Sequence, residues 1–173
     1  MRRIPDSRLR LKAAPFADPG IQERYRRLFV EQRITTDPFA FVGPSEFPEL
    51  MAAYQHIDIG LDLAPYNGGT ITYQALWMDN PVVTFAGYNF CSRTGASILQ
   101  NLGHKAMVTE TPAAYIDAAV ALTSDAPRRA ALRTDLRETI LPAQSCNAER
   151  FARNLGDKLH AVLRDWCRQR TAG

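Results

Sequence analysis

The chain has 173 residues, 46% hydrophobic and 23% charged, with a formal net charge of +3, the balance of a soluble domain long enough to bury a core. The Arg residues gather near the ends (Arg2, Arg3, Arg8 and Arg10, then Arg164, Arg168 and Arg170) without interleaved aromatics, which reads as solvated faces and speaks against nucleic-acid binding. There is no apolar run of the ~18 residues a membrane helix needs and no apolar stretch behind the basic start that would make a secretory signal. Cys91, Cys146 and Cys167 are odd in number and far apart, so a cytoplasmic protein with free thiols is expected.

Residues 8–13 read as a short strand. Asp18-Pro19-Gly20 opens a helix, with Asp18 as its cap and Pro19 in its first turn, and Ile21, Tyr25, Leu28 and Phe29 recur on one face. Residues 39–42 are a second strand, followed by a helix capped at Ser45 that turns Leu50, Met51 and Tyr54 inward. Residues 57–63 are apolar at nearly every position, as in a parallel strand covered on both faces. A helix is predicted over 70–78, with Trp77 in the core, where its truncation would cost roughly 3–5 kcal/mol.

A strand over 82–85 leads to a helix capped by Ser92 and stopped by Gly103. The last strand is placed at 105–109, with helices at 112–124 and 127–140. A long helix then runs from Asn147 to about Arg170, with Ala148, Phe151, Ala152, Leu155, Leu159, Val162, Leu163 and Trp166 in one stripe expected to pack on the same lobe. Alternating strands and helices make an α/β fold, a Rossmann-like parallel sheet with helices on both faces. Ligands bind such sheets at the carboxyl ends of the strands. The turn at Asn67, the 87–92 loop and the 43–45 loop all fall on that edge.

Asn67-Gly68-Gly69-Thr70 stands where a strand hands over to a helix. The first N–H groups of a helix lack internal partners and lie at the positive end of its dipole, so two glycines there suit a phosphate or diphosphate. Thr70 reads either as a diphosphate contact or as a simple cap, and Gly68 and Gly69 as close approach or as turn alone. Arg93 could neutralise phosphate charge or pair with Asp62 or Glu110. Tyr66 could stack on a base or sugar or pack in its loop. His56, His104 and His160 have no partners for acid–base or metal work, so no catalytic group and no metal site is assigned.

Several motifs in one order carry a resemblance: Leu61-Asp62, Pro65-Tyr66-Asn67-Gly68-Gly69-Thr70, Ala75-Leu76-Trp77-Met78, Pro81-Val82-Val83-Thr84, Ser92-Arg93, Gly95-Ala96-Ser97-Ile98-Leu99 and Leu102-Gly103. With Ile4-Pro5-Asp6-Ser7-Arg8-Leu9 and Tyr115, they resemble the C-terminal catalytic lobe of the O-linked N-acetylglucosamine transferase family, SPINDLY-like and tetratricopeptide-associated, from about Arg3 to Trp166. The resemblance implies the C-terminal lobe of a two-lobed (GT-B type) glycosyltransferase lacking its first strand, with residues 1–145 as the nucleotide-sugar lobe and 146–173 as a helix packed on it. It further implies a uridine-diphosphate sugar donor held by Asn67, Gly68, Gly69, Thr70, Ile71, Gln74 and Arg93, with no metal or other cofactor. Transfer of N-acetylglucosamine or a similar sugar to a protein Ser or Thr would follow.

The chain departs from that pattern in three places. Ile71 replaces a second Thr, Gln74 replaces an acidic residue expected to grip the ribose, and Phe47 falls near a second basic contact. An amide in place of that carboxylate loses roughly 1–2 kcal/mol of hydrogen bonding. A Lys and a Gln near the phosphates, the acceptor-binding lobe and helical repeats would precede Met1. Two expectations result: a donor lobe incomplete by itself, whose missing strand leaves a sheet edge open to self-association, or a degenerate lobe kept as a binding or assembly module.

Overall fold

The computed structural model describes residues 3–35, 37, 39–143 and 146–171; Arg2 of the amino-terminal basic group lies outside them. The elements run β1 (Leu9–Lys12), α1 (Pro19–Glu31), β2 (Phe39–Val42), α2 (Phe47–Ala53), β3 (Gly60–Asp62), α3 (Thr70–Trp77) and β4 (Val82–Phe85). Then come α4 (Thr94–Asn101), β5 (Val108–Thr109), α5 (Pro112–Ser124), α6 (Ala126–Ile140) and α7 (Ala148–Thr171). Every strand pair is parallel, in two ladders, β1-β2 and β3-β4-β5. In a doubly wound sheet of order 3-2-1-4-5-6 these five strands take positions 3-2 and 4-5-6. No strand among the described residues stands at position 1, so β1 and β3 each keep one edge without a ladder partner.

Local chemistry sets most helix starts. Asp18 Oδ1 accepts from the Gly20 N–H at 2.7 Å, Thr111 Oγ1 from Ala114 at 3.1 Å and Asn147 Oδ1 from Arg150 at 2.9 Å, each relieving a first-turn donor with no internal partner. Gly103 ends α4 at φ +83°, a conformation other residues rarely adopt. Around β4 the pleat sends Val82 and Val83 to opposite faces. Val82 joins Leu76, Leu99, Leu136 and Ile140 of α3, α4 and α6, while Val83 meets Tyr115 and Leu122 of α5. Helices therefore cover both faces of this ladder. On the β1-β2 ladder an aromatic cluster covers one face, with ring centroids 5.1 Å apart for Phe16 and Phe41 and 4.4 Å apart for Phe29 and Phe39.

Several expectations are corrected. The helix placed after Ser45 begins at Phe47, with Glu46 at its N-cap and no side-chain cap bond. The strand expected over 57–63 has ladder pairing at three residues, and Leu61 and Leu63 are about half exposed at 49% and 53%, since its inner edge has no neighbour to cover it. Residues 105–107 form a 3-10 turn, which shortens the last strand to β5. Ser92 does not cap α4; Arg93 holds that position, and Ser92 closes a 3-10 turn with Asn89. Trp77 is 42% exposed and lies against the Arg137 guanidinium, while its neighbour Leu76 is the fully buried residue.

The stripe on α7 is not packed on the lobe. Phe151, Leu155, Leu159, Val162, Leu163 and Trp166 are all exposed, between 47% and 67%. Amphipathicity shows that one face favours burial, and it does not say against what. Leu159→Ala is accordingly expected to change the unfolding free energy of the chain by less than about 0.5 kcal/mol. A loss above about 2 kcal/mol in urea unfolding, the size of a buried Leu truncation, would show that the face is covered.

Candidate functional site

The site grows from the parallel register that sets Asp62, the last residue of β3, beside Thr84 of β4. Thr84 Oγ1 donates to Asp62 Oδ2 at 3.0 Å, and the Gly68 N–H donates to Asp62 Oδ1 at 2.7 Å. The second bond closes the 63–67 loop on the strand it leaves. Asn67, 2% exposed, joins this loop to the next: its N–H donates to the Cys91 carbonyl at 2.9 Å and its Nδ2 to the Phe85 carbonyl at 3.2 Å. The 87–92 loop has its own frame, in which Asn89 Oδ1 accepts the Ser92 N–H at 2.9 Å and Ser92 Oγ accepts the Asn89 N–H at 3.2 Å.

The two glycines divide the roles left open by the sequence. A Cβ on Gly68 would lie 2.6 Å from Thr72 Oγ1, which donates to the Gly68 carbonyl at 2.9 Å; this glycine is needed by the turn. A Cβ on Gly69 would meet nothing nearer than Thr94 Cγ2 at 3.7 Å. Gly69 is also the N-cap of α3, with no side chain to satisfy the first turn. The first intrahelical bond runs from the Tyr73 N–H to the Gly69 carbonyl at 3.1 Å, so the N–H groups of Thr70, Ile71 and Thr72 precede the internal ladder. Thr70 is therefore not the cap. It lies exposed in the first turn beside Ile71, which is 65% exposed. Uncapped N–H groups at the positive end of a helix are donors available to an anion.

Other expected residues fall unevenly around it. Arg93 forms neither proposed ion pair among the described residues; its Nη1 donates to the Gly87 carbonyl at 3.0 Å, with the guanidinium exposed on the same loop. Gln74 is one turn into α3, and its Oε1 is buried without a hydrogen-bond partner among the described residues. Tyr66 is not packed in its loop but 78% exposed, and Tyr88 and Phe90 on the adjoining loop are almost fully exposed. Sequence reasoning passed over these last two, although two aromatics in a short polar loop were a usable signal. The 43–45 loop is tied to β1, with Lys12 Nζ donating to the Gly43 carbonyl at 2.9 Å. Phe47 is 60% exposed at the start of α2.

Asp62 is the one carboxyl group in the site whose protonation is displaced. Burial raises it above the ordinary 3.8, against the lowering effect of the bonds from Gly68, Thr84 and Asn67. Across from it, burial and then the charge of Asp62 push the Tyr115 hydroxyl upward. That hydroxyl has no partner among the described residues. Among those residues no three His, Cys, Asp or Glu side chains gather as a metal site, and no helix is long and apolar enough to cross a membrane.

A parallel α/β lobe with a glycine turn at its carboxyl edge defines a Rossmann-like, doubly wound nucleotide-binding type of fold. Similarity to known proteins agrees. The sequence matches glycosyl transferase family 41 over residues 1–155. It is 30% identical over 169 residues to the probable UDP-N-acetylglucosamine–peptide N-acetylglucosaminyltransferase SPINDLY of Petunia hybrida, covering 95% of this chain and 18% of that protein. The SPINDLY of Arabidopsis thaliana is 31% identical over 170 residues, with the same coverage. A mutant of the O-GlcNAc transferase of Thermobaculum terrenum superposes with a TM-score of 0.88 at 33% identity, over 98% of this chain and 32% of that one. This chain belongs to glycosyl transferase family 41. It spans less than a fifth of the length of these SPINDLY relatives.

Proposed function

We propose that the chain is the donor-binding part of a cytoplasmic glycosyltransferase, holding the diphosphate of a UDP-sugar at the start of α3. In a complete protein the sugar, N-acetylglucosamine or a similar one, would pass to a protein Ser or Thr. The carrying observation is the first turn of α3, which has no side-chain cap and begins at a glycine. The N–H groups of Thr70 and Ile71, with the Thr70 hydroxyl, offer donors to phosphate oxygens. Such donors count most where charge collects on the departing diphosphate, so they lower the barrier electrostatically without a metal. Arg93, anchored through one nitrogen to the Gly87 carbonyl, adds a cation on the adjoining loop. Tyr66, exposed on the loop before α3, would be available to stack on the donor's sugar or base.

Hydrogen bonds to a charged group contribute about 1.5–3 kcal/mol each, so a few of them support micromolar to millimolar binding. Calorimetric titration of the chain with uridine diphosphate is expected to show binding in that range, weakened about ten-fold or more by Thr70→Ala. A folded sample that gives no heat at millimolar nucleotide would overturn the proposal. A second reading, a degenerate lobe serving as a binding or assembly module, is favoured by Gln74. Its only acceptor atom is turned into the protein and must rotate outward before it can take a ribose hydroxyl. That reading predicts no binding in the same titration.

A further inference from the structure

We infer that Asp62 is a positioning residue for this site: its carboxylate pins the Gly68 turn to β4 and thereby aims the first N–H groups of α3 at the donor diphosphate. The inference rests on the donor-binding reading above. Three elements meet on this one side chain. The turn binds Oδ1 through the Gly68 N–H at 2.7 Å, and β4 binds Oδ2 through Thr84 Oγ1 at 3.0 Å. The start of α4 closes the third side, where a Cβ on Gly95 would fall 2.0 Å from Asp62 Oδ2 and 2.8 Å from Thr84 Oγ1. The carboxylate has no room to swing, so the Gly68 amide is held in one direction. Gly69 and Thr70 follow directly, and no cap side chain orients them. Asp62 thus sets the direction of the Gly68 N–H, while Asn67 and the Thr72 hydroxyl hold the rest of the same turn.

An ionised carboxylate behind an anion site has a second possible effect, repulsion of the ligand, and its sign is opposite. Charge alone predicts tighter diphosphate binding when Asp62 is neutralised. Positioning predicts weaker binding, because a charge-assisted bond to Gly68 becomes a neutral one. The groups facing Asp62 are Asn67 from the loop, Thr84 from β4, Gly95 from α4 and Tyr115 from α5. Tyr115 is the one that titrates, and it stays protonated as Asp62 does so, its hydroxyl being pushed upward. Burial raises Asp62 itself, which brings its protonation toward mild acid. An ionised, buried carboxylate of raised pKa weakens folding as pH rises from 3.8 through its folded value, so neutralising it does not threaten the fold.

The test is calorimetric titration of the full chain with UDP-N-acetylglucosamine, whose diphosphate is a diester and lacks the phosphate ionisation near pH 6. Asp62→Asn is expected to weaken binding about five-fold and Asp62→Ala more, with the melting temperature of the Asn variant kept or raised. Lowering the pH through the Asp62 titration, followed in the same samples by NMR of the carboxyl carbon, should weaken binding by the native chain and leave the Asn variant unchanged. Equal or tighter binding by Asp62→Asn overturns the inference, as does a flat pH profile of the native chain, which decides the matter if the variants do not fold. No binding by the native chain at any pH overturns the donor reading and this inference with it. Native binding retained in Asp62→Asn overturns this inference alone.

Discussion

Gly95→Ala is expected to destabilise the chain by about 3 kcal/mol, although it adds one methyl group to a helix and alanine is the better helix former. The added Cβ would lie 2.0 Å from Asp62 Oδ2, 2.8 Å from Thr84 Oγ1 and 3.0 Å from Thr84 Cγ2. Neither neighbour can give way. Thr84 is fully buried and Asp62 is 8% exposed, and each is bonded to the other. Relief requires breaking that bond or shifting α4, whose Leu99 is fully buried in the core. Urea unfolding measures the effect through the midpoint at constant slope. A change below about 0.5 kcal/mol, the range of an innocuous surface substitution, would show that the Asp62 carboxylate turns freely, against the pinned geometry described above.

Leu76→Ala is expected to cost about 2–5 kcal/mol, and the adjacent, larger Trp77→Ala only about 1 kcal/mol. Leu76 has no exposed surface and packs in the same core cluster as Leu99, Leu136 and Ile140. Trp77 is 42% exposed, with the Arg137 guanidinium 6.0 Å from its ring centroid. Successive residues on a helix point about 100° apart, so α3 buries one of the two and turns the other outward. Paired thermal and urea unfolding of the two variants checks the order; a larger loss for Trp77→Ala would reverse the assignment of the buried face of α3.

That pair shows where local pattern stops being informative. Leu76 and Trp77 stand side by side in a short apolar run, and composition favours the larger residue as the core anchor. Which one is buried depends on α6, whose Leu136 and Ile140 come some sixty residues later. The caps were legible because they are contacts within a few residues. Asp18 and Asn147 each bind an N–H two or three positions ahead. Ser92 misled for the same reason, since Asn89 three residues before it competes for the same turn. β2 and β4 match their predicted bounds to the residue, while β3 is shortened because ladder pairing belongs to two strands and one of its edges has no partner.

By itself the sequence determined the alternation of strands and helices, the family, and the glycine junction at Asn67-Gly68-Gly69-Thr70, all of which rest on order and near-neighbour chemistry. Only the tertiary structure decided that Gly68 serves the turn while Gly69 is the N-cap and leaves the helix start without a side-chain partner. The exposed stripe on α7 and the meeting of Asp62, Thr84 and Gly95 were likewise settled there. The physical reason is that burial and close approach are relations between segments far apart in the chain, whereas propensity and capping act within a single turn.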